Sequence, residues 1–319
     1  MQGKASLMVN RVLIIAGPTA GGKSGAALDA AREFAGTVIN ADSMQVYREL
    51  HILSARPSAD DETRAPHRLY GVLPASDRCS AGRWLELVVP EIKQAWAEGR
   101  LPIITGGTGL YIKALLEGLS PIPDIPPQYR TEAEKLLTDL GGETFKKKLA
   151  ELDPSSAANL PAGDRQRLIR AYEVVRATGK PLSQWQGGED TAPLVDAEFQ
   201  TIVLMPPREA LYAAIDARFD QMIEGGALEE AKTLHDLDLD PGLPAMKAVG
   251  VPQLGRYLQG QQTLETACDD AKRASRNLAK RQMTWFRNQI EPNLGVFEQY
   301  SESQKEKIFS FIRNFVLTR

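Results

Sequence analysis

A glycine-rich loop that ends in lysine and serine follows the first apolar run of the chain. Residues 17–24 read Gly-Pro-Thr-Ala-Gly-Gly-Lys-Ser, the Gly-x-x-x-x-Gly-Lys-Ser/Thr pattern of a phosphate-binding loop (P-loop). The apolar run 12–16 precedes it, and the helical stretch 23–34 follows. In this order of strand, turn and helix, the backbone N–H groups of the loop and the positive amino end of the helix both face a bound phosphate. A glycine turn that merely joins strand to helix needs neither Lys23 nor Ser24, so the motif predicts a phosphate site.

Further apolar, β-branched runs extend the same pattern. Residues 37–41, 101–105 and 201–205 are typical of buried parallel strands, and residues 84–98 of a helix. Strands that alternate with helices predict a doubly wound parallel sheet, in which ligands bind at the carboxyl ends of the strands. The sequence therefore predicts an α/β core of the P-loop NTPase type.

A proline-rich segment interrupts this pattern. Residues 120–127 contain four prolines and cannot form a helix. From residue 129 to about 178 the pattern is helical and charged, with breaks at Gly141-Gly142 and Asp153-Pro154, and residues 179–193 are typical of a loop. We interpret residues 121–198 as a helical insertion domain, and residues 1–120 and 199–319 as a discontinuous core domain.

The composition is that of an ordinary globular protein. Of the 319 residues, 43% are hydrophobic and 25% are charged, and no apolar run approaches the roughly 20 residues of a membrane span. We expect residues 1–11 to lead into the first strand rather than to form a cleavable signal. Cys79 and Cys268 lie far apart without metal-ligand spacing, which is typical of a reduced cytoplasmic protein.

Basic residues are concentrated in two stretches, 165–180 and 272–287, although the formal net charge is −3. A solvated helix face would explain either stretch alone. Two of them in a phosphate-binding protein favour a groove for a polyanion. The basic residues are Arg165, Arg167, Arg170, Arg176 and Lys180 in the first stretch, and Lys272, Arg273, Arg276, Lys280, Arg281 and Arg287 in the second.

Asp42 follows the second predicted strand, where a carboxylate would lie next to the P-loop. Such a group can accept a proton from a nucleophile that attacks a phosphate-bearing substrate. The alternative is an aspartate that only caps the following turn. We expect Ser43, Gln45 and Tyr47 to line the same cleft. Arg218, in the helical stretch 213–222, could bind an anion through its planar guanidinium, although an arginine on a helix is usually only solvated.

The third predicted strand ends in Thr105-Gly106-Gly107-Thr108. ATP-hydrolysing P-loop enzymes usually have Asp or Glu there to hold magnesium, so this difference counts against a motor-type ATPase. Two classes remain: a small-molecule or nucleoside kinase with a helical lid, and a transferase that binds a diphosphate and acts on a polynucleotide. The basic stretches favour the transferase. A nucleotide switch is a weaker alternative, because the sequence has no guanine-reading Asn-Lys-x-Asp segment.

Seven motifs together resemble those of the tRNA dimethylallyltransferase (isopentenyltransferase, IPP transferase) family. They run from Gly17 to Trp285, which is nearly the whole chain; each is weak to moderate alone, but seven in the family's order are very specific. The motifs are residues 17–24, 42–47 (Asp-Ser-Met-Gln-Val-Tyr), 66–71 (Pro-His-Arg-Leu-Tyr-Gly), 106–111 with 113–119, 164–170 (Asp-Arg-Gln-Arg-Leu-Ile-Arg), 218–222 (Arg-Phe-Asp-Gln-Met) and 278–285 (Leu-Ala-Lys-Arg-Gln-Met-Thr-Trp).

The resemblance implies that a dimethylallyl group moves from dimethylallyl diphosphate to the exocyclic N6 amine of adenosine 37 in tRNA. The products would be N6-(dimethylallyl)adenosine and diphosphate. It implies Asp42 as the general base, with Arg218, Lys23 and Thr19 as further catalytic residues, and Mg²⁺ bound with the help of the Ser24 hydroxyl. The implied diphosphate-binding residues are Gly17, Pro18, Thr19, Ala20, Gly21, Gly22, Lys23, Ser24 and Arg218.

The resemblance also implies how the tRNA binds. The target base must leave its stack to reach a buried site, and the insertion domain would contact the anticodon stem-loop. The implied tRNA-binding residues are Asp42, Ser43, Met44, Gln45, Thr108, Arg130, Gln166, Arg167, Leu168, Ile169 and Arg170. The stretch 276–287 suits backbone phosphates, although core packing is the favoured interpretation of Trp285 and Phe286. The expected state is a cytoplasmic monomer without a membrane partner.

Two segments depart from the family's pattern. Residues 53–57 read Leu-Ser-Ala-Arg-Pro where the family often has Gly-Thr-Ala-Lys-Pro. Residues 248–252 read Ala-Val-Gly-Val-Pro, without the aromatic and the basic residue that are usual in the family. The second departure bears on one tRNA contact and not on the transfer chemistry.

Overall fold

The structure is a computed structural model that describes residues 10–186 and 192–317. Residues 1–9, 187–191 and 318–319 lie outside the described residues. They include parts of both predicted domains, most of the segment 1–11 that is predicted to lead into the first strand, and part of the predicted loop 179–193. The chain divides into two compact units. Unit 1 comprises Met1–Leu116 and Leu194–Arg319, and unit 2 comprises Glu117–Pro193.

Strands and helices alternate in the first part of unit 1, and helices predominate afterwards. Within the described residues the elements are β1 (Arg11–Ala16), α1 (Lys23–Glu33), β2 (Gly36–Asn40), α2 (Ala59–Arg64), β3 (His67–Arg68), α3 (Ala81–Ala97), β4 (Leu101–Gly106), α4 (Gly109–Glu117), α5 (Pro127–Leu152), α6 (Pro154–Asn159), α7 (Arg165–Thr178), α8 (Leu182–Gln186), β5 (Glu198–Leu204), α9 (Arg208–Glu224), α10 (Ala227–Asp236), a 3₁₀ helix (Ala245–Lys247), α11 (Val251–Leu258), α12 (Leu264–Gln289), β6 (Leu294–Val296) and α13 (Glu302–Leu317).

In the described part of unit 1, six parallel strands form one sheet in the order β3-β2-β4-β1-β5-β6. The four predicted strands correspond to β1, β2, β4 and β5. The first strand is central, with Ala16 paired to Gly106 of β4 on one side and to Val203 of β5 on the other. The carboxyl ends of these strands therefore meet at one edge of the sheet, where the P-loop begins.

Both faces of the sheet are covered by helices. Val12 and Ile14 pack in a core with residues of α3 and α4, including Trp84. Leu13 and Ile15 point to the opposite face, where α1 and α13 cover them. Because side chains alternate along a strand, a strand buried on both faces needs apolar residues at every position. The continuous apolar runs thus specify the doubly wound fold, and this prediction is confirmed.

A third core of unit 1 joins the segment after β2 to the later helices. Val46 and Leu50 pack there with Phe219 of α9 and Leu254 of α11. This core fixes α9 beside the carboxyl edge of the sheet. None of the helices in the described residues is long and apolar enough to cross a membrane.

Unit 2 is a cluster of helices with its own core, in which Phe145 of α5 packs with Leu168 and Tyr172 of α7. At Gly141 the backbone of α5 leaves helical geometry, with φ 73° and ψ 165°. Asp153 is fully buried and ends α5. Its carboxylate accepts hydrogen bonds from the Ser156 N–H (2.9 Å), the Ser156 hydroxyl (2.6 Å) and the Leu182 N–H (3.0 Å). The carboxylate therefore joins α6 to the start of α8.

Candidate active site

A cavity of about 480 Å³ opens at the carboxyl edge of the sheet in unit 1. The P-loop forms its floor, and α9 contributes Arg218 to one wall. Asp42 and Gln45 contribute from the segment after β2. The cavity thus brings together the phosphate loop, the carboxylate and the arginine that the sequence singled out.

The backbone of the P-loop requires glycine at two positions. At Gly17 φ is 147°, and a Cβ atom would lie 2.3 Å from the carbonyl oxygen of Leu204. At Gly22 φ is 87°, and a Cβ atom would lie 2.5 Å from the Cβ of Tyr300. Both positions exclude other residues, since each has a left-handed φ and no room for a side chain. The two glycines let the loop turn closely into the amino end of α1.

Lys23 lies in the first turn of α1, and its ammonium group donates to the Pro18 carbonyl at 2.6 Å. Burial lowers the pKa of Lys23 to about 8. The negative charge of Asp42 opposes this lowering, whereas the positive charge of Arg218 adds to it. The site therefore holds two half-buried cations close to a single carboxylate. An anion in the cavity would stabilise both cations.

Arg218 is held against the P-loop by a side-chain hydrogen bond. Its Nη2 donates to the hydroxyl oxygen of Thr19 at 2.5 Å. Another face of α9 is buried in the cores of unit 1 through Leu211, Ile215 and Phe219. Arg218 lies at the cavity instead. Burial lowers the pKa of Arg218, and the charge of Asp42 acts in the opposite direction. The guanidinium is thus placed to meet an anion that the P-loop holds.

Asp42 lies in a tight turn that uses only part of its carboxylate. Its N–H donates to Asn40 Oδ1 at 2.7 Å, and its Oδ1 accepts from the Met44 N–H at 2.9 Å. No described residue donates to the second oxygen, Oδ2. Asn40 is fully buried and donates to the Asp42 carbonyl at 3.0 Å, which fixes the turn. Asp42 therefore caps the turn with one oxygen and leaves the other without a donor among the described residues.

Thr108 attaches the end of β4 to the Asp42 turn. Its hydroxyl group accepts a hydrogen bond from the Ser43 N–H at 2.9 Å and donates one to Ser43 Oγ at 3.2 Å. Its own N–H donates to the Ala41 carbonyl at 3.2 Å. Gly106 allows this approach, because a Cβ atom there would lie 2.2 Å from the Ala41 backbone. The glycines that end β4 thus bring Thr108 beside Asp42.

Comparison with known proteins identifies the family. The family model described as "IPP transferase" matches residues 45–289. The chain belongs to the IPP transferase family. A protein of Rhodospirillum centenum named tRNA dimethylallyltransferase is 55% identical over 88% of this chain and 89% of its own length. A protein of the same name from Paramagnetospirillum magneticum is 50% identical over 96% of this chain and 97% of its own.

Solved structures of IPP transferases resemble the present one along nearly the whole chain. The full-length tRNA isopentenylpyrophosphate transferase of Bacillus halodurans has a TM-score of 0.69 at 34% identity, and the match covers 96% of this chain and 97% of the other. A eukaryotic dimethylallyltransferase acting on tRNA shares the fold with a TM-score of 0.82 at 24% identity, over 97% of this chain and 80% of its own.

Two glutamines of this IPP transferase, which the sequence analysis does not assign to the site, are hydrogen-bonded to the loops around the cavity. Gln282 of α12 accepts from the Thr19 N–H at 2.8 Å and donates to the Gly107 carbonyl at 2.9 Å. Gln299, after β6, lines the cavity and donates to the Ala20 carbonyl at 3.3 Å. Gln282 belongs to the motif 278–285, which is the signal in the sequence that could have identified it.

Tyr47 does not line the cavity, contrary to the sequence-based expectation. It is fully buried in the third core, where its hydroxyl accepts from the Cys79 N–H at 3.3 Å. Gln45 does line the cavity, and its amide donates to the carbonyls of Ser54 and Ala55, both at 2.9 Å. Ser43 does not line the cavity and is hydrogen-bonded to Thr108.

The Ser24 side chain could hold a divalent cation. Ser24 is exposed in the first turn of α1 and lines the cavity. A hydroxyl oxygen is a ligand that Mg²⁺ accepts, and Mg²⁺ typically takes its other ligands from phosphates and water. The donor set therefore fits a magnesium ion that arrives with a diphosphate. No group of three or more His, Cys, Asp or Glu side chains in the described residues could hold a metal ion.

The predicted tRNA-binding residues of unit 2 differ in accessibility. Gln166 and Arg167 are exposed at the start of α7, whereas Leu168 and Ile169 are buried in the core of the unit. Arg170 and Arg130 both pair with the buried Glu173, at 2.7 Å and 3.7 Å. At this surface the guanidinium groups are accessible, whereas the side chains of Leu168 and Ile169 are not.

The second basic stretch lies along α12 in unit 1. Arg276 pairs with Asp216 at 2.6 Å and Lys272 with Asp220 at 2.5 Å, so part of its charge is neutralised. Lys280, Arg281 and Arg287 are exposed, without an ion pair among the described residues. Phe286 is buried in the core, and Trp285 packs against it and close to Gly109. Core packing therefore accounts for both aromatic residues.

Proposed function

We propose that this protein is a tRNA dimethylallyltransferase, which moves the dimethylallyl group of dimethylallyl diphosphate to N6 of adenosine 37 in tRNA. The observation that carries the proposal is one cavity in which the P-loop, Arg218 and a partly free Asp42 carboxylate meet. The relatives with 55% and 50% identity that bear this name support it.

The P-loop and its cations bind the leaving group. As the bond between the allylic carbon and oxygen breaks, the bonding electrons pass to the diphosphate oxygen, where negative charge develops. The N–H groups of the loop, Lys23 and Arg218 stabilise that charge. A P-loop that holds two phosphates of an allylic diphosphate needs no triphosphate, in agreement with the Thr-Gly-Gly-Thr end of β4.

Asp42 acts on the other substrate. The exocyclic amine of adenine is a weak nucleophile because its lone pair is delocalised into the ring. The free carboxylate oxygen accepts a proton from the amine as the new bond from nitrogen to carbon forms. The Met44 N–H and the buried Asn40 hold the carboxylate in place meanwhile. Charge and atoms balance: diphosphate leaves, and Asp42 takes the proton.

Mg²⁺ is the proposed cofactor, and the Ser24 hydroxyl would help to hold it beside the diphosphate. When bound, it neutralises charge on the leaving group. This assignment rests on the exposed Ser24 hydroxyl and on the oxygen ligands that Mg²⁺ prefers.

The anticodon stem-loop of the tRNA is the proposed partner. Gln166, Arg167, Arg170 and Arg130 of unit 2 would meet its phosphates, and the target adenosine must leave its stack to enter the cavity of unit 1. Asp42 and Gln45, which line the cavity, would then face that base, and Ser43, Met44 and Thr108 beside them are the other proposed tRNA contacts of unit 1. We further propose that the protein acts as a monomer, in the cytoplasm where its tRNA substrate is found.

The test is an incubation of the purified protein with Mg²⁺, unmodified tRNA and dimethylallyl diphosphate, beside a second reaction with ATP in place of the allylic diphosphate. Nucleoside mass spectrometry would detect adenosine with one added five-carbon group. We expect this product only with the allylic diphosphate. Absence of the product, together with ATP consumption when small nucleosides are supplied, would instead establish a kinase.

A further inference from the structure

Gln282 of α12 bridges two loops of the cavity through both ends of its side-chain amide. The Oε1 atom accepts from the Thr19 N–H at 2.8 Å, and the Nε2 group donates to the Gly107 carbonyl at 2.9 Å. A backbone N–H can only donate and a carbonyl can only accept, so the amide has one possible orientation. A glutamine is thus matched to this position at both ends.

Each end of the bridge lies next to a group that serves a different substrate. On one side, the Thr19 hydroxyl accepts from Arg218, beside the P-loop that would hold the diphosphate. On the other side, Gly107 precedes Thr108, whose hydroxyl binds the Ser43 N–H next to Asp42. The bridge therefore joins the diphosphate side of the cavity to the amine side.

The helix that carries Gln282 is packed closely onto the loop after β4. A Cβ atom at Gly107 would lie 2.4 Å from the Gln282 Nε2, and one at Gly109 would lie 2.2 Å from the Trp285 ring. Phe286 anchors the same helix in the core of unit 1. The backbone of α12 is therefore fixed, and the amide of Gln282 transmits that fixed position to both loops.

We propose that Gln282 is a positioning residue of the transfer reaction, which sets the distance between the diphosphate-binding P-loop and the Asp42 turn. This role rests on the proposed function. Gln282 does not line the cavity, so each substrate keeps its own binding groups when the bridge is lost. What is lost is the alignment of the allylic carbon with the adenine amine. The effect therefore falls on kcat rather than on the KM of either substrate.

The test compares Gln282→Met, which keeps the length of the side chain and removes both hydrogen bonds, with Gln289→Met as a matched control. Gln289 is exposed on the same helix and accepts a hydrogen bond from Lys113 at 3.0 Å, away from the cavity. A misplacement of about 1 Å costs up to ~10²-fold in rate, so we expect kcat of Gln282→Met to fall by about 10- to 100-fold. Both KM values, and the kcat of the control, should stay within about twofold of the wild type.

A folded Gln282→Met protein with wild-type kcat, or one whose loss lies entirely in a KM value, overturns the role. If this variant does not fold, Gln282→Glu is measured instead, because it keeps the acceptor for Thr19 and loses the donor to Gly107. A folded Gln282→Glu protein with wild-type kcat overturns the role. Failure of both variants to fold also overturns it, because that would show a structural function alone.

A wild-type protein without transfer activity overturns the proposed function and this role with it. An active wild type with unaffected variants overturns this role alone.

Discussion

Lys23 is a residue of the cavity whose ionisation is affected by its surroundings. Its pKa is lowered to about 8, chiefly by burial. A bound anion favours the charged form of the lysine and raises the pKa again. Diphosphate binding is therefore coupled to the uptake of a proton by Lys23 at pH values near and above 8.

We expect the affinity for inorganic diphosphate with Mg²⁺ to be highest below about pH 8 and to fall as the pH rises above the pKa of Lys23. Below this pKa the lysine already carries its charge, whereas above it binding must include protonation. Isothermal titration calorimetry in buffers of different ionisation enthalpy measures the protons taken up. The variant Lys23→Met corrects for the protons that diphosphate itself exchanges. Equal proton uptake by the wild type and this variant would contradict the prediction.

Asp42 differs from Lys23 because its predicted role is in chemistry rather than in diphosphate binding. The variant Asp42→Asn keeps the size of the side chain and an oxygen that can accept from the Met44 N–H. It cannot take a proton from the amine. We expect kcat to fall by about 10²- to 10⁴-fold, the usual contribution of a general base, while tRNA binding is retained. Single-turnover kinetics and filter binding measure the two effects, and near-normal turnover would rule out the assignment.

At the scale of elements, the site depends on loops that are fixed by distant side chains. The carboxylate of Glu230 in α10 accepts hydrogen bonds from three backbone N–H groups, those of His51 (2.8 Å), Ile52 (2.7 Å) and Leu53 (2.8 Å). The same loop continues into Ser54 and Ala55, which line the cavity. One helix thus holds a wall of the cavity through a single carboxylate.

The variant Glu230→Ala should lower the free energy of unfolding by about 2 kcal/mol, since it leaves backbone donors without their acceptor. Urea denaturation measures this change. Glu229→Ala is the matched control, because Glu229 is the exposed neighbour on the same helix. The control should change stability by less than about 0.5 kcal/mol, as is usual for surface positions. Equal losses in the two variants would mean that the carboxylate does not hold the loop.

The sequence predicts the central elements well and the edges poorly. The strands β1, β2, β4 and β5 are long apolar runs, so their burial on both faces is visible in the sequence. The edge strands β3, of two residues, and β6, of three, are too short to show any periodicity. Gln282 and Gln299 were missed for a related reason, since a hydrogen bond across 263 or 279 residues has no local pattern. Tyr47 was misplaced because an aromatic residue after a strand suits a core as well as a cleft.

At the scale of the whole molecule, an acidic protein has to bind a polyanion. The net charge is −3, so attraction depends on where the cations are exposed. In unit 2, Arg167 has 71% of its side chain exposed, and its ion-pair partner among the described residues is Asp164, at 3.4 Å. Arg170 shares the buried Glu173 with Arg130, which also pairs with Glu134 at 2.9 Å. The exposed Arg165 of α7 has no ion-pair partner among the described residues, so this surface keeps an excess of positive charge for phosphates despite the overall sign.

The salt dependence of tRNA binding tests this local excess. Each phosphate contact contributes about 0.7 to 0.9 to the slope of log K against log salt concentration, because counterions are released. We expect Arg167→Ala and Arg170→Ala each to reduce the slope by about that amount, measured by filter binding from low to high salt. Arg313→Ala is the control, since Arg313 is half exposed on α13 of unit 1 and pairs with Glu33 at 3.8 Å. An unchanged slope in both unit 2 variants, or an equal change in the control, would mean that tRNA phosphates bind elsewhere.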